Sequence, residues 1–159
     1  MTKRREYAVA VLVVAICLAI GGLGGALTAG SVGTWYPTLV KPAWNPPNAV
    51  FGPVWTTLYV MMAIAYWLVW RTRDHRQIRR ATSLFGLQLI LNLAWSALFF
   101  GLQRPDLALA DILLLLAAVA MTASEFRRHS RFAALLLAPY ILWVAYATSL
   151  NAAIVWLNR

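Results

Sequence analysis

Aromatic and amide residues recur at helical spacing along this chain, and they are its main candidates for chemistry. One such set consists of Gln88, Asn92, Trp95, Ser96 and Phe99. Residues three and four apart share one face of a helix. Aromatic rings supply stacking area and amides fix orientation, so this face suits a flat, largely apolar ligand with a polar edge. An equally supported alternative is that the two amides hydrogen-bond a neighbouring helix.

Two other stretches repeat the pattern. Trp55 and Tyr59 lie four residues apart near the start of one apolar run and are predicted to contact a ligand, whereas the rest of their stripe is typical of helix packing. In the last apolar run, four residues share a face on which an alanine leaves room beside a tryptophan. They are Tyr140, Trp143, Ala147 and Asn151. The three stripes together predict an aromatic pocket with a few amides.

Other chemistry is sparse in the apolar runs, which contain no phosphate loop, metal cluster or nucleophile constellation. His75 and His129 lie in basic segments between the runs. This excludes a haem held by an axial histidine within the helices, but not a porphyrin held by shape and stacking, and no obligatory cofactor is expected. Asp111 lies inside an apolar run, where it is either functional or an anion favoured by a helix N-terminus. The lone Cys17 cannot form an intrachain disulfide.

The composition is that of a membrane protein. Apolar residues make up 62% of the 159 residues and charged residues only 12%, far outside the range of soluble domains. Lipid-spanning backbone must satisfy its hydrogen bonds internally, and the apolar runs lack the alternation of a barrel, so helices are predicted. The net charge of +9 comes from short clusters between the runs, which membrane topology explains better than nucleic-acid binding.

Five apolar runs are long enough to cross a bilayer as helices. They predict a single all-α membrane domain over residues 1–159, a bundle of five transmembrane helices. The predicted spans are residues 7–29, 48–70, 81–102, 106–126 and 132–157. A cleaved signal peptide is the alternative for the first run, but that run exceeds the ~7–15 apolar residues of a signal sequence.

Basic residues alternate between the two ends of the predicted bundle. Eleven of the fourteen lysines and arginines lie in the N-terminus, after the second span or after the fourth span, and only Lys41, Arg104 and Arg159 lie at the other end. Positive charge marks the cytoplasmic side. The N-terminus is therefore expected to be cytoplasmic, with the first loop and C-terminus outside and the bacterial inner membrane as the location. Glu125, beside Arg127 and Arg128, is interpreted as a residue at the lipid surface.

The first loop, residues 35–47, holds four of the seven prolines and is neither a plain helix nor a plain strand. We expect Trp35, Tyr36 and Trp44 to pack on the mouth of the bundle. Trp35 and Tyr36 should reach a ligand, while residues 44–47 should brace the loop against the second span. The loop is thus predicted to be a lid over the pocket.

These motifs together resemble the translocator protein family, also called tryptophan-rich sensory proteins or peripheral benzodiazepine receptors. The resemblance covers nearly the whole chain. The motifs that carry it are Trp35-Tyr36, residues 41–47, Phe51 with residues 53–59, residues 92–95 with 99–101, residues 139–143 and residues 147–151.

The resemblance implies a five-helix bundle, usually a homodimer, that binds porphyrins and, in some members, cholesterol or isoquinoline carboxamides. Leu150-Asn151 is followed here by two alanines instead of the tyrosine of the sterol consensus, which weakens a cholesterol interpretation. Trp55 and Trp143 correspond to a pair tied to light-dependent porphyrin breakdown in bacterial relatives. The implied pocket positions are Trp35, Tyr36, Trp55, Asn92, Phe99, Trp143 and Ala147.

The leading expectation is a membrane receptor or sensor that binds tetrapyrroles such as protoporphyrin IX and haem, and other flat apolar ligands. The expected partners are the bilayer, such ligands and a second copy of the chain; nucleic acid is not expected. One alternative is transport of porphyrin, lipid or sterol; another is light-dependent porphyrin degradation by the tryptophan pair. A dedicated enzyme is not expected. The ligand-binding residues are predicted to be Trp35, Tyr36, Trp55, Tyr59, Gln88, Asn92, Trp95, Phe99, Tyr140, Trp143 and Ala147.

Overall fold

A computed structural model describes the backbone of residues 3–72 and 75–159 and the side chains of residues 3–72 and 78–159. Five helices are long and apolar enough to cross a membrane, which confirms the predicted five-helix membrane fold. A 3₁₀ turn, Tyr36–Thr38, lies in the first loop, and a π-helical segment, Ala97–Gly101, extends the third helix. The helices are α1 (Lys3–Val32), α2 (Asn48–Trp70), α3 (His75–Ser96), α4 (Pro105–His129) and α5 (Arg131–Leu157).

Local sequence explains where these helices begin and end. Proline stands at the start of α4 and just before α2, where the missing N–H would have no helical partner. Only Ser130 separates α4 from α5, and its hydroxyl caps α5 by accepting a bond from the Ala133 amide at 3.2 Å. So short a connection makes α4 and α5 antiparallel neighbours.

Helix α1 packs against two different partners along its length. At Gly21 it meets α2 so closely that a Cβ there would lie 2.7 Å from the Tyr59 ring. Further along, Gly24 faces Ser96 of α3, and the Ser31 hydroxyl donates to the Phe100 carbonyl at 2.6 Å. This change of partner leaves space between α1 and α2 at the end that carries the first loop, here called the loop end.

The opposite end, which carries Arg71, Arg80 and Arg128, is here called the basic end. Glu125 is buried there, with its side chain 5% exposed, and its carboxylate lies 3.4 Å from Arg80 and 3.7 Å from Arg128. Its interpretation as a residue at the lipid surface was therefore wrong. The carboxylate is turned inward toward α3, and Arg80 of α3 and Arg128 of α4 compensate its charge, which burial would otherwise make costly.

Part of this basic end is not covered by the structure. Arg73, Asp74 and the side chains of His75 and Arg76, which the sequence assigns to the turn between α2 and α3, lie outside the described residues.

Candidate functional site

A cavity of about 500 Å³ lies at the loop end, enclosed by α1, α2, α3 with its π segment, α5 and one residue of the first loop. The volume is in the range of small-molecule sites. Its wall consists of Leu18, Gly21, Gly22, Gly24, Gly25, Thr28, Ala29, Val32, Tyr36, Asn48, Phe51, Gly52, Trp55, Thr56, Tyr59, Asn92, Trp95, Ser96, Phe99, Phe100, Ala147, Leu150, Asn151 and Ile154.

Seven of the eleven predicted ligand-binding residues line this cavity, and the wall brings together all three stripes and the loop. The seven are Tyr36, Trp55, Tyr59, Asn92, Trp95, Phe99 and Ala147.

The other four predicted residues form a second layer. Trp35 packs edge-on against Phe99, with ring centroids 5.7 Å apart. Trp143 lies against Trp55 at 6.4 Å, with the rings perpendicular. Gln88 and Tyr140 are buried beneath the wall. These residues support the wall and do not line it.

A buried hydrogen-bond chain joins Tyr59 on α2, Asn92 on α3 and Tyr140 on α5. The Tyr59 hydroxyl donates to Asn92 Oδ1 at 2.6 Å, and Asn92 Nδ2 donates to the Tyr140 hydroxyl at 2.7 Å. Tyr140 in turn donates to Gln88 Oε1 at 3.0 Å. Asn92 therefore holds three helices together and also lines the cavity. Such a chain fixes the positions of its members more firmly than isolated pairs would.

A second set of bonds fixes the stacked rings of α3. The Trp95 and Phe99 rings stack with centroids 5.2 Å apart. Trp95 Nε1 donates to Asn151 Oδ1 at 3.0 Å, and Asn151 Nδ2 donates to the Pro105 carbonyl at 2.8 Å. Through Asn151, these rings are held against both α5 and the start of α4.

The first loop is held in shape by its own side chains. The Lys41 ammonium donates to the carbonyls of Tyr36 and Leu39, each at 2.9 Å, and lies 4.9 Å from the centre of the Tyr36 ring. The Tyr36 hydroxyl donates to Asn45 Oδ1 at 2.8 Å. Burial raises the pKa of Tyr36 above its ordinary value. Tyr36 is thereby fixed with its ring against the cavity.

The same loop is fastened to α5. Asn158 bonds both backbone groups of Val40, accepting from its amide and donating to its carbonyl, each at 2.9 Å. The Tyr146 hydroxyl donates to the Trp44 carbonyl at 2.6 Å.

The side chain of Trp44 does not pack on the bundle mouth as expected, because 55% of it is exposed. A turn explains the difference. The Asn45 amide donates to the Pro42 carbonyl at 3.0 Å, which places Ala43 and Trp44 at the corner of the turn. Corner side chains point away from the chain, and only the backbone carbonyl of Trp44 braces the loop.

The π segment was missed by the sequence analysis, which predicted an uninterrupted third helix. The Leu102 amide donates to the Ala97 carbonyl, five residues back, at 2.7 Å. The wider turn lets consecutive rings, Phe99 and Phe100, both approach the Tyr36 ring, at 6.3 and 5.7 Å. Such π-helical turns are frequent at functional sites.

The α1 side of the wall was also missed. Gly21 and Gly25 lie four residues apart, a spacing that predicts close approach of a neighbouring helix, yet four glycines of the run from Gly21 to Gly25 line the cavity. Gly22 and Gly25 on α1, and Gly52 and Thr56 on α2, are exposed as well as wall-lining. The cavity is therefore open at its side, between α1 and α2.

The chemistry of the wall is that of a binding site. The wall residues that the structure describes include no histidine, cysteine, lysine, arginine or carboxylate. Among the described residues, no cluster of three or more His, Cys, Asp or Glu could hold a metal. Asp111, a candidate for function by its place in an apolar run, is buried in α4 and is not part of the wall.

Comparison with known proteins finds one family model that covers most of the chain. The TspO/MBR family model matches residues 13–157. A tryptophan-rich protein TspO of Chlorobaculum tepidum is 45% identical over 92% of this chain and 94% of its own. The translocator protein of Homo sapiens is 42% identical over 74% of this chain and 70% of its own. A tryptophan-rich sensory protein of Cereibacter sphaeroides is 37% identical over 78% of this chain and 77% of its own.

Proposed function

This chain belongs to the TspO/MBR family of integral membrane proteins, with a receptor or sensor role in the bilayer, and we propose that its ligands are tetrapyrroles such as protoporphyrin IX and haem. The observation that carries the proposal is the cavity of about 500 Å³ beneath the loop, walled by aromatic rings on three sides. Flat, apolar macrocycles offer the large faces that stack on such rings.

The wall supports binding of the porphyrin ring and not of its metal. Its described residues include no histidine, cysteine or methionine that could bind iron from the axial position. The hydroxyls of its two tyrosines, Tyr36 and Tyr59, already donate to Asn45 and Asn92. The macrocycle would be held by stacking on Trp55, Trp95 and Phe99 and by the edge of Tyr36. Haem and metal-free protoporphyrin IX are accordingly expected to bind with similar affinity.

Titration of the purified protein with protoporphyrin IX, followed by the change in porphyrin absorbance, tests the proposal. Trp55→Ala removes a wall ring and should weaken binding about tenfold, since one aromatic contact contributes roughly 1.5 kcal/mol. Trp156→Ala is the matched control, because this ring is 71% exposed and outside the wall. The proposal fails if the wild type shows no saturable binding, or if both variants weaken it equally.

A second candidate function is light-dependent degradation of the bound porphyrin, favoured by the contact between Trp55 in the wall and Trp143 behind it. Illumination in air should destroy bound porphyrin faster in the wild type than in Trp143→Phe, which leaves the wall intact. Equal rates of loss would remove this function while leaving binding untouched.

We also propose that the basic end faces the cytoplasm of a bacterial inner membrane and the loop end faces outward, as the distribution of lysine and arginine favours. A cysteine placed in the loop, at Ala43, should react with a membrane-impermeant thiol reagent in intact spheroplasts. A cysteine at Arg128 should not, and the reverse pattern would contradict this orientation.

A further inference from the structure

Most hydrogen-bonding side chains in the cavity wall are already paired within the protein. The Thr28 and Thr56 hydroxyls donate to carbonyls one turn earlier, at 2.8 and 2.9 Å. Each of the remaining paired groups is bonded to a side chain or backbone carbonyl named above. These groups belong to Tyr36, Tyr59, Asn92, Trp95 and Asn151. A ligand can therefore use few of the polar groups that surround it without breaking a bond in the protein.

Ser96 differs from these residues. It lines the cavity, only 9% of it is exposed, and its hydroxyl has no hydrogen-bond partner among the described residues. A serine within a helix can donate to the carbonyl four residues earlier, but Ser96 makes no such bond, so its hydroxyl is available to a ligand in the cavity. Two other wall residues, Asn48 and Trp55, also make no side-chain hydrogen bond to the described residues. Asn48 is exposed at the mouth, and Trp55 is less buried than Ser96.

The neighbour opposite Ser96 keeps its hydroxyl uncovered. Gly24 faces it, and a Cβ at that position would lie 3.3 Å from Ser96 Oγ. Any larger side chain on α1 would therefore cover the hydroxyl. Ser96 is also the last residue before the π segment, so its position depends on the same distortion that brings Phe99 and Phe100 into the wall.

The charge of the wall restricts what this hydroxyl can bind. The described wall residues include no cation. Lys41 in the loop already donates to the Tyr36 and Leu39 carbonyls. A carboxylate taken into the cavity would lose its water without gaining an opposite charge, which is strongly unfavourable. The group that reaches Ser96 must then be uncharged, and a carbonyl oxygen is the natural acceptor for its O–H.

We propose that Ser96 is the specificity-determining residue of this cavity and that it selects planar, apolar ligands bearing an uncharged carbonyl group. The inference rests on the proposed function, since the ligand is taken to be a tetrapyrrole. For porphyrins it means that esterified edges enter the cavity, whereas ionised propionates stay outside at its open side.

Three porphyrins that differ only at their edges test this inference on the intact protein. Protoporphyrin IX dimethyl ester carries ester carbonyls, protoporphyrin IX carries carboxylates, and etioporphyrin carries alkyl groups alone. The wild type should bind the dimethyl ester at least as tightly as the free acid. Ser96→Ala should weaken the binding of the dimethyl ester roughly 3- to 10-fold, the range for one neutral hydrogen bond, and leave the affinity for etioporphyrin unchanged.

Ser149→Ala is the matched control, because it makes the same chemical change at a serine outside the wall, whose hydroxyl already donates to the Tyr146 carbonyl at 2.7 Å. It should leave the affinity for both neutral porphyrins unchanged. Etioporphyrin carries no carbonyl group, so its binding shows whether each variant is folded. A purely structural effect of Ser96→Ala would therefore weaken the binding of both neutral porphyrins equally.

Three results would overturn the inference while leaving tetrapyrrole binding intact. They are an equal loss for both neutral porphyrins in Ser96→Ala, no loss for the dimethyl ester, or a free acid that binds the wild type more than about tenfold more tightly than its ester. Failure of all three porphyrins to bind the wild type would instead overturn the proposed function and this inference with it.

Discussion

The two ends of this helix bundle differ in packing: the basic end is closely packed, and the loop end surrounds a cavity. At the basic end, the Tyr66 and Phe85 rings stack with centroids 4.7 Å apart, Phe126 stacks on Phe85 at 6.1 Å, and Glu125 is buried among arginines. At the loop end, the same helices surround a cavity of about 500 Å³. Helix α1 contributes glycines there, and α3 departs from α-helical geometry.

This contrast indicates that stability and binding are carried by different parts of the same five helices. Close packing gives every side chain dispersion contacts with its neighbours, and the side chains that line a cavity lose some of these contacts. The loop end compensates with hydrogen bonds between helices and with a loop fastened to α5. We therefore expect substitutions at the basic end to change stability, and those at the loop end to change binding.

The largest effect should come from Phe126→Ala. This ring is fully buried, and its removal should lower the free energy of unfolding by about 3–5 kcal/mol, as for other buried aromatic rings. Unfolding by sodium dodecyl sulfate, monitored by circular dichroism in mixed micelles, measures it. Porphyrin affinity of the folded fraction should not change.

Leu142→Ala is the control for that experiment, since the leucine is 71% exposed on the outer face of α5. It should leave unfolding nearly unchanged. If it lowers the free energy of unfolding as much as Phe126→Ala does, or if Phe126→Ala weakens porphyrin binding directly, stability and binding are not divided between the two ends.

A smaller effect is expected where the two regions meet, at the contact between α1 and α2. A Cβ on Gly21 would lie 2.7 Å from the Tyr59 ring, and Asn92 holds the Tyr59 hydroxyl in place. Gly21→Ala should therefore destabilise the protein by about 1–3 kcal/mol, the usual cost of overpacking, and should also weaken porphyrin binding.

The adjacent glycine gives a matched pair with the same chemical change. Apart from its chain neighbours and the backbone of its own helix, no described atom lies within 4 Å of a Cβ placed on Gly22, so Gly22→Ala should be neutral or stabilising by up to about 1 kcal/mol. Thermal unfolding of both variants in detergent decides the matter. If both variants lose a similar amount of stability, the contact with Tyr59 is not the reason why Gly21→Ala is destabilising.

The sequence was sufficient to predict the five-helix fold, because apolar runs of this length have few other structures in a membrane. It also predicted the aromatic side of the cavity, since a stripe at helical spacing identifies a shared face. Spacing does not show, however, whether a residue lines the cavity or lies behind its wall. Trp143 and Trp55 have equal standing as stripe residues, yet Trp55 lines the cavity and Trp143 lies behind it.

Features that depend on how helices meet could not be predicted in this way. A glycine allows close approach to a neighbour and equally allows an open space, so the run from Gly21 to Gly25 did not reveal a cavity wall. The π segment has no distinctive composition, because it results from a shift of backbone bonds near Ala97. The burial of Glu125 likewise depends on an arginine from another helix, Arg80.

The smallest effect should appear in the loop that covers the cavity. Asn158→Ala removes both bonds to the Val40 backbone, which should favour local opening by about 0.5–1.5 kcal/mol and leave global unfolding unchanged. Hydrogen exchange at the Val40 amide should accelerate accordingly.

Asn48→Ala, at an exposed amide that makes no described bond to the loop, should leave this exchange unaltered. If Asn158→Ala leaves Val40 protected, the Tyr146 bond and Lys41 suffice to hold the loop. If it instead lowers global stability as much as Phe126→Ala does, the loop belongs to the stabilising part of the protein.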